Sequence, residues 1–162
     1  MNGITYALRR IHHGENEIAK ELLRTAERHR TDHEVHHVCR DLATWSQKHV
    51  TLLAKHAANH NLNLDEQPDT TSPVTNQLRE AVATTVGRRS QAGLVLLEDL
   101  RHLYLQAADN SLAWEMLAQV AQAKHERELL ALTQQCHPQT LRQLRWANTM
   151  IKTLSPQVLA AL

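Results

Sequence analysis

The chain has 162 residues, 42% of them hydrophobic and 22% charged, with a net charge of +1 at neutral pH. That length suits one domain with a single sizeable core, and the small net charge excludes a broad basic field for nucleic acid or anionic lipid. Four glycines, four prolines, no phenylalanine and 3% aromatics exclude a strand-rich domain, whereas the dominant Leu, Ala, Gln, Glu and Arg favour helices.

Twelve histidines are the compositional anomaly, and they would make the chain strongly positive near pH ~6. Cys39 and Cys136 are too few for a disulfide scaffold. The first residues, MNGITYALRRIHHGENE, lack the apolar stretch of a secretory signal. No apolar run approaches the ~20 residues of a membrane span. The expectation is a cytoplasmic, all-α, single-domain protein covering 1–162, without nucleic-acid or membrane partners.

The first helix is predicted over about 4–30 and the second over about 32–60, with Thr31 and Glu34 read as a capping box. The polar segment 61–73, NLNLDEQPDTTSP, follows as a long connection ending in a Ser72 cap and Pro73 at the first helical position. A third helix is expected over 73–108, interrupted by Asp109-Asn110-Ser111, and a fourth over 111–135. His137-Pro138 then starts a fifth helix, spanning about 138–153 within a C-terminal segment that reaches 162. Short turns make the first and second pairs antiparallel hairpins, 4–60 and 73–135. The 61–73 connection could just cross the bundle if extended at ~3.3 Å per residue, so both simple and crossover connectivities stay open.

Apolar residues recur at helical spacing along the first helix: Ile4, Leu8, Ile11, Ile18, Leu22 and Ala26. Glu15 completes that stripe, a carboxylate at mid-helix on the buried side, where it requires a partner or a proton. Folding the hairpin about Thr31 sets His49 level with Glu15. On the third helix Arg89 falls within the apolar stripe. On the fourth, His125 and Glu128 lie close to the face of Trp114, Leu117, Ala121 and Leu132, and the expected hairpin sets them level with Arg89. The segment GLVLLEDL at 93–100 is apolar almost all round, which implies burial on more than one side.

Two long hairpins, a long middle connection and an inward Glu on the first helix resemble the ferritin-like superfamily, nearest its small bacterial members with a fifth helix. The resemblance covers residues 4–135 and is architectural. It implies a metal site in which the first and third helices each supply a Glu, and the second and fourth each supply Glu-x-x-His. Carried over, Glu15 and His49 match the first two helices, and His125 with Glu128 would complete a ligand set for iron or zinc. The chain departs from the pattern at Ser46, Arg89 and Gln122, each standing where the family has Glu. A buried Glu15–Arg89–His network without metal accounts for the same residues, and a pH-responsive assembly built on the twelve histidines is a third reading.

The stretch RHRTDHEVHHVCRD at 28–41 concentrates histidines around a helix boundary and reads as a solvated turn. Cys39 reads as a small packed side chain. No phosphate loop or catalytic triad is present, and no residue is assigned a catalytic role. The C-terminal helix stripe of Leu141, Leu144, Ala147, Ile151 and Leu154 either closes the bundle or packs on a second subunit, so a homodimer is expected.

Overall fold

The computed structural model of the chain describes residues 2–70 and 88–162, apart from the side chains of residues 88–90. Among them are four helices and no strand: α1 (Gly3–Arg28), α2 (His33–Ala58), α3 (Arg88–Ala123) and α4 (Arg127–Leu159). The expected Ser72 cap, the Pro73 helix start, and the Arg89 side chain lie outside the described residues. Among the described residues no helix is long and apolar enough to cross a membrane.

Local chemistry sets the first hairpin. The Asn2 side chain accepts from the Ile4 amide and starts α1. The predicted stripe of Ile4, Leu8, Ile11, Ile18, Leu22 and Ala26 is at most 2% exposed. The cap of α2 is Asp32, whose Oδ1 accepts from the Val35 amide at 3.1 Å. Thr31 is therefore outside the helix, and Glu34 contributes only its negative charge to the first turn.

Helix directions follow from cross-bundle pairs. Arg10 of α1 meets Asp109 of α3, and Arg28 meets Asp99, so α3 descends as α1 ascends. Across α2 and α4, Ser46 meets Gln143 and His49 meets Gln139, so this pair is antiparallel too. It follows that α2 and α3 run in the same direction. The described part of the connection after α2 runs in the direction this requires. His12 Nε2 donates to the Asp65 carbonyl at 2.7 Å, and the Asp69 amide donates to Asn16 Oδ1 at 2.8 Å. Lys20 holds the Asp69 carboxylate at 2.8 Å. Residues 62–70 thus climb alongside α1, back toward the end where α2 began.

The second half differs from the sequence expectation. No break occurs at 109–111, and α3 runs through it. Other helices engage the three capping residues instead: Asp109 pairs with Arg10, Ser111 bonds to His137, and Asn110 is buried against Gly14. A Cβ at position 14 would sit 2.3 Å from Asn110 Oδ1, so glycine is what lets α1 and α3 approach there. The fifth helix is absent as a separate element, because α4 continues through Pro138 and Pro156. Pro138 is exposed, as is Gln134 one turn earlier, so the carbonyl that proline leaves unpaired faces solvent.

The actual turn between α3 and α4 lies at Lys124–Glu126. His125 adopts φ 57°, and the Glu126 amide donates to the Ala121 carbonyl at 2.8 Å, the six-to-one bond of a Schellman end. Asn61 ends α2 in the same way at φ 55°, with the Leu62 amide on the Ala57 carbonyl. Left-handed backbone is costly for any side chain with a Cβ. His125→Gly is therefore expected to stabilise the protein by about 1 kcal/mol. Urea unfolding checks this, and an unchanged or lower midpoint refutes it.

Two apolar clusters fill the interior. One packs Ile4, Leu8, Ile11, Leu53 and Leu62 against Trp114, Leu117, Leu129 and Leu132. The other packs Ile18, Leu22, Val35 and Leu42 against Leu96, Leu100, Leu103 and Met150. Between them lies a layer of buried polar side chains.

Candidate functional site

Each helix contributes to that layer. Glu15 comes from α1, Ser46 and His49 from α2, Trp114 from α3, and Thr140 and Gln143 from α4, all buried. Glu15 sits there because its position continues the stripe that buries Ile11 and Ile18 on either side. Its Oε1 accepts from Trp114 Nε1 at 2.9 Å and from the Thr140 hydroxyl at 3.4 Å. His49 Nδ1 lies 3.1 Å from the same oxygen, a charge contact and not an aligned hydrogen bond. On its other side His49 Nε2 donates to Gln139 Oε1 at 2.7 Å. The imidazole also meets the Trp114 ring edge-on, with centroids 5.9 Å apart.

With an acceptor facing each ring nitrogen, the doubly protonated imidazolium fits this environment best. Burial pulls the His49 pKa down. The adjacent Glu15 charge, with a smaller contribution from the nearby Cys136, outweighs it and pushes the group up to about 10. Glu15 Oε2 is buried with no hydrogen-bond partner among the described residues. The carboxylate's desolvation is therefore offset by the two donors on Oε1 together with the His49 charge. Gln143 Nε2 extends the layer, donating to Ser46 Oγ at 2.8 Å and to the Leu42 carbonyl at 3.0 Å.

A second buried polar group lies at the α1–α2 turn. Asp99 accepts from Arg28 at 2.8 and 2.9 Å and contacts His29 Nε2 at 2.8 Å. It is 3% exposed. Cys39 packs nearby, and burial, then the charges of Asp99, Asp32 and Glu21, push its thiol up to about 12. Such a thiol is unreactive. Around the same turn His33 and His37 stack in solvent, while His36 Nδ1 donates to the Ala26 carbonyl.

Of the residues singled out by sequence, the structure brings Glu15 and His49 together and separates the others. His125 and Glu128 are exposed at the α3–α4 turn, because that turn lies at 124–126 and not at 109–111. There they line a cleft of about 350 Å³ with His56, His60 and Glu126. Position 89 lies at the start of the described part of α3, and a Cβ on neighbouring Gly93 would meet Val158 near the end of α4. It is thus far along the bundle from Trp114, the α3 residue that meets Glu15. Trp114, Gln139 and Thr140 are partners that the sequence pattern does not mark. Trp114 and Thr140 do fall at inward helical positions, but a turn at 109–111 would not set them level with Glu15, whereas the turn at 124–126 does.

The di-iron pattern needs four carboxylates and two histidines. This layer offers one carboxylate, one charged histidine and otherwise neutral donors, a set that does not fit two metal ions. Among the described residues no group of three or more His, Cys, Asp or Glu side chains is placed to hold a metal ion. Comparison with known proteins finds no matching family model, no matching curated protein and no matching solved structure.

Proposed function

We propose that this chain is a non-catalytic structural and interaction protein of ferritin-like architecture, whose central layer ties the four helices together where related bundles would hold metal. The crossover of residues 62–70 and the parallel run of α2 and α3 support the ferritin-like part of the reading. The observation that carries the rest is the engagement of Glu15 and His49 with each other. A ligating imidazole must give up its second proton, and the Glu15 carboxylate 3.1 Å from His49 Nδ1 favours keeping it. Trp114 occupies the α3 position facing them, with an indole that can donate but cannot ligate. The network differs from the Glu15–Arg89–His arrangement expected from sequence in that His49 supplies the positive charge.

Metal analysis of protein purified without a histidine tag tests this reading, together with calorimetric titration of iron(II) and zinc(II). The expected result is no stoichiometric metal whose binding depends on Glu15. Exposed histidines can take up zinc weakly, so the comparison is between wild type and Glu15→Ala. One or two equivalents of metal per chain, lost in that variant, would overturn the proposal.

A further inference from the structure

Apolar side chains stand on two opposite sides of α3. Leu100, Leu103, Trp114 and Leu117 face the core. Leu105, Leu112 and Met116 face away from it, 50%, 65% and 50% exposed. At 3.6 residues per turn these three fall within about 40° of one another, on the side opposite Leu103 and Trp114. The three share one outward face, with Ala108 and Asp109 between Leu105 and Leu112.

The charges along the stripe are arranged with a symmetry of their own. Arg101 lies beyond Leu105 at one end and Glu115 beyond Leu112 at the other, both on the same flank. Neither is firmly paired within the chain: Arg101 is 3.7 Å from Glu98, with both side chains largely exposed, and Glu115 is 3.9 Å from His137. The two charges are nearly equidistant from a midpoint beside Ala108 and Asp109. Asp109 itself, on the other flank, accepts from Arg10 at 2.8 and 3.0 Å, so its charge is compensated within the chain.

We propose that this face docks a second copy of the chain, with the two α3 helices antiparallel about a two-fold axis beside Ala108 and Asp109. A two-fold contact must be self-complementary, with residue i meeting j and j meeting i. The stripe meets that condition. Leu105 faces the partner's Leu112, and Arg101 faces the partner's Glu115 across the same flank, each contact occurring twice. Met116 lies against the aliphatic stem of the partner's Arg101. A membrane or an unrelated protein would need no such matched ends. The proposal rests on reading the chain as an interaction protein, but its failure would be separable, since metal titration is blind to the oligomeric state.

Sedimentation velocity of the full chain over a micromolar concentration range is the test. Wild type should form a concentration-dependent dimer. Leu112→Glu should weaken it by about 100-fold or more, because two charges would be buried per contact. Circular dichroism should be unchanged in that variant, since Leu112 is 65% exposed. Arg101→Glu and Glu115→Arg should each weaken the dimer about tenfold, the repulsion being doubled by symmetry. The double reversal should recover most of the affinity. A monomeric wild type, a dimer indifferent to Leu112→Glu, or a double reversal no better than the singles would each overturn the proposal.

Discussion

Glu15→Ala is expected to lower stability by about 3–5 kcal/mol, a large part of the total for a domain of this size. The substitution removes more than one contact. Trp114 Nε1 and the Thr140 hydroxyl lose their acceptor, and buried His49 loses the charge that keeps it protonated. A small cavity also opens between the two apolar clusters. Glu15→Gln should cost less, about 1–3 kcal/mol, because an amide oxygen can still accept from Trp114 while His49 becomes neutral. Urea unfolding of both variants measures the difference. Wild-type stability in Glu15→Ala would mean that the pair contributes nothing to the fold.

Stability should also fall as pH rises through the alkaline range, and the direction follows from His49. Its pKa is raised in the folded protein from an ordinary 6.5 to about 10. Protonation therefore favours the folded state. The stabilisation is fully present below 6.5, declines above it as the unfolded chain loses its proton, and is gone once pH passes through 10. The loss should be on the order of a few kcal/mol. Unfolding followed across that window in wild type and Glu15→Gln isolates the effect, since the variant lacks the charge that raises the histidine. Matching pH slopes in the two proteins would refute the assignment. The His49 ring resonances provide a second readout, and they should not titrate near neutrality.

Two observations join the buried pair to the rest of the fold. The crossing segment bonds to His12, Asn16 and Lys20, on the α1 turns either side of Glu15. Gly14, next in sequence, admits Asn110 and so brings α3 close at that level. The central layer is thus where the strap, the close helix approach and the ion pair coincide. A change there acts on all four helices together, which is why its expected cost exceeds that of an exposed ion pair such as Arg10–Asp109.

Periodicity alone determined the α1–α2 hairpin and its buried face. Glu15 stood out because a carboxylate completed an otherwise apolar stripe, and a short turn fixed the register that sets His49 beside it. Strong apolar spacing and a tight connection are local properties, and local properties are written in the chain. The second hairpin depended on the tertiary structure. Asp109, Asn110 and Ser111 have the chemistry of a helix cap, yet Arg10, Gly14 and His137 engage them and the helix continues. The real turn uses a left-handed His125, a residue that carries no turn signal in sequence. Capping and turn propensities are worth about 1 kcal/mol each, so a few buried contacts override them. Moving that turn by some fifteen residues removed His125 and Glu128 from the centre and put Trp114, Gln139 and Thr140 in their place. The sequence alone identified the buried acid, and only the packing of α3 and α4 decided what surrounds it.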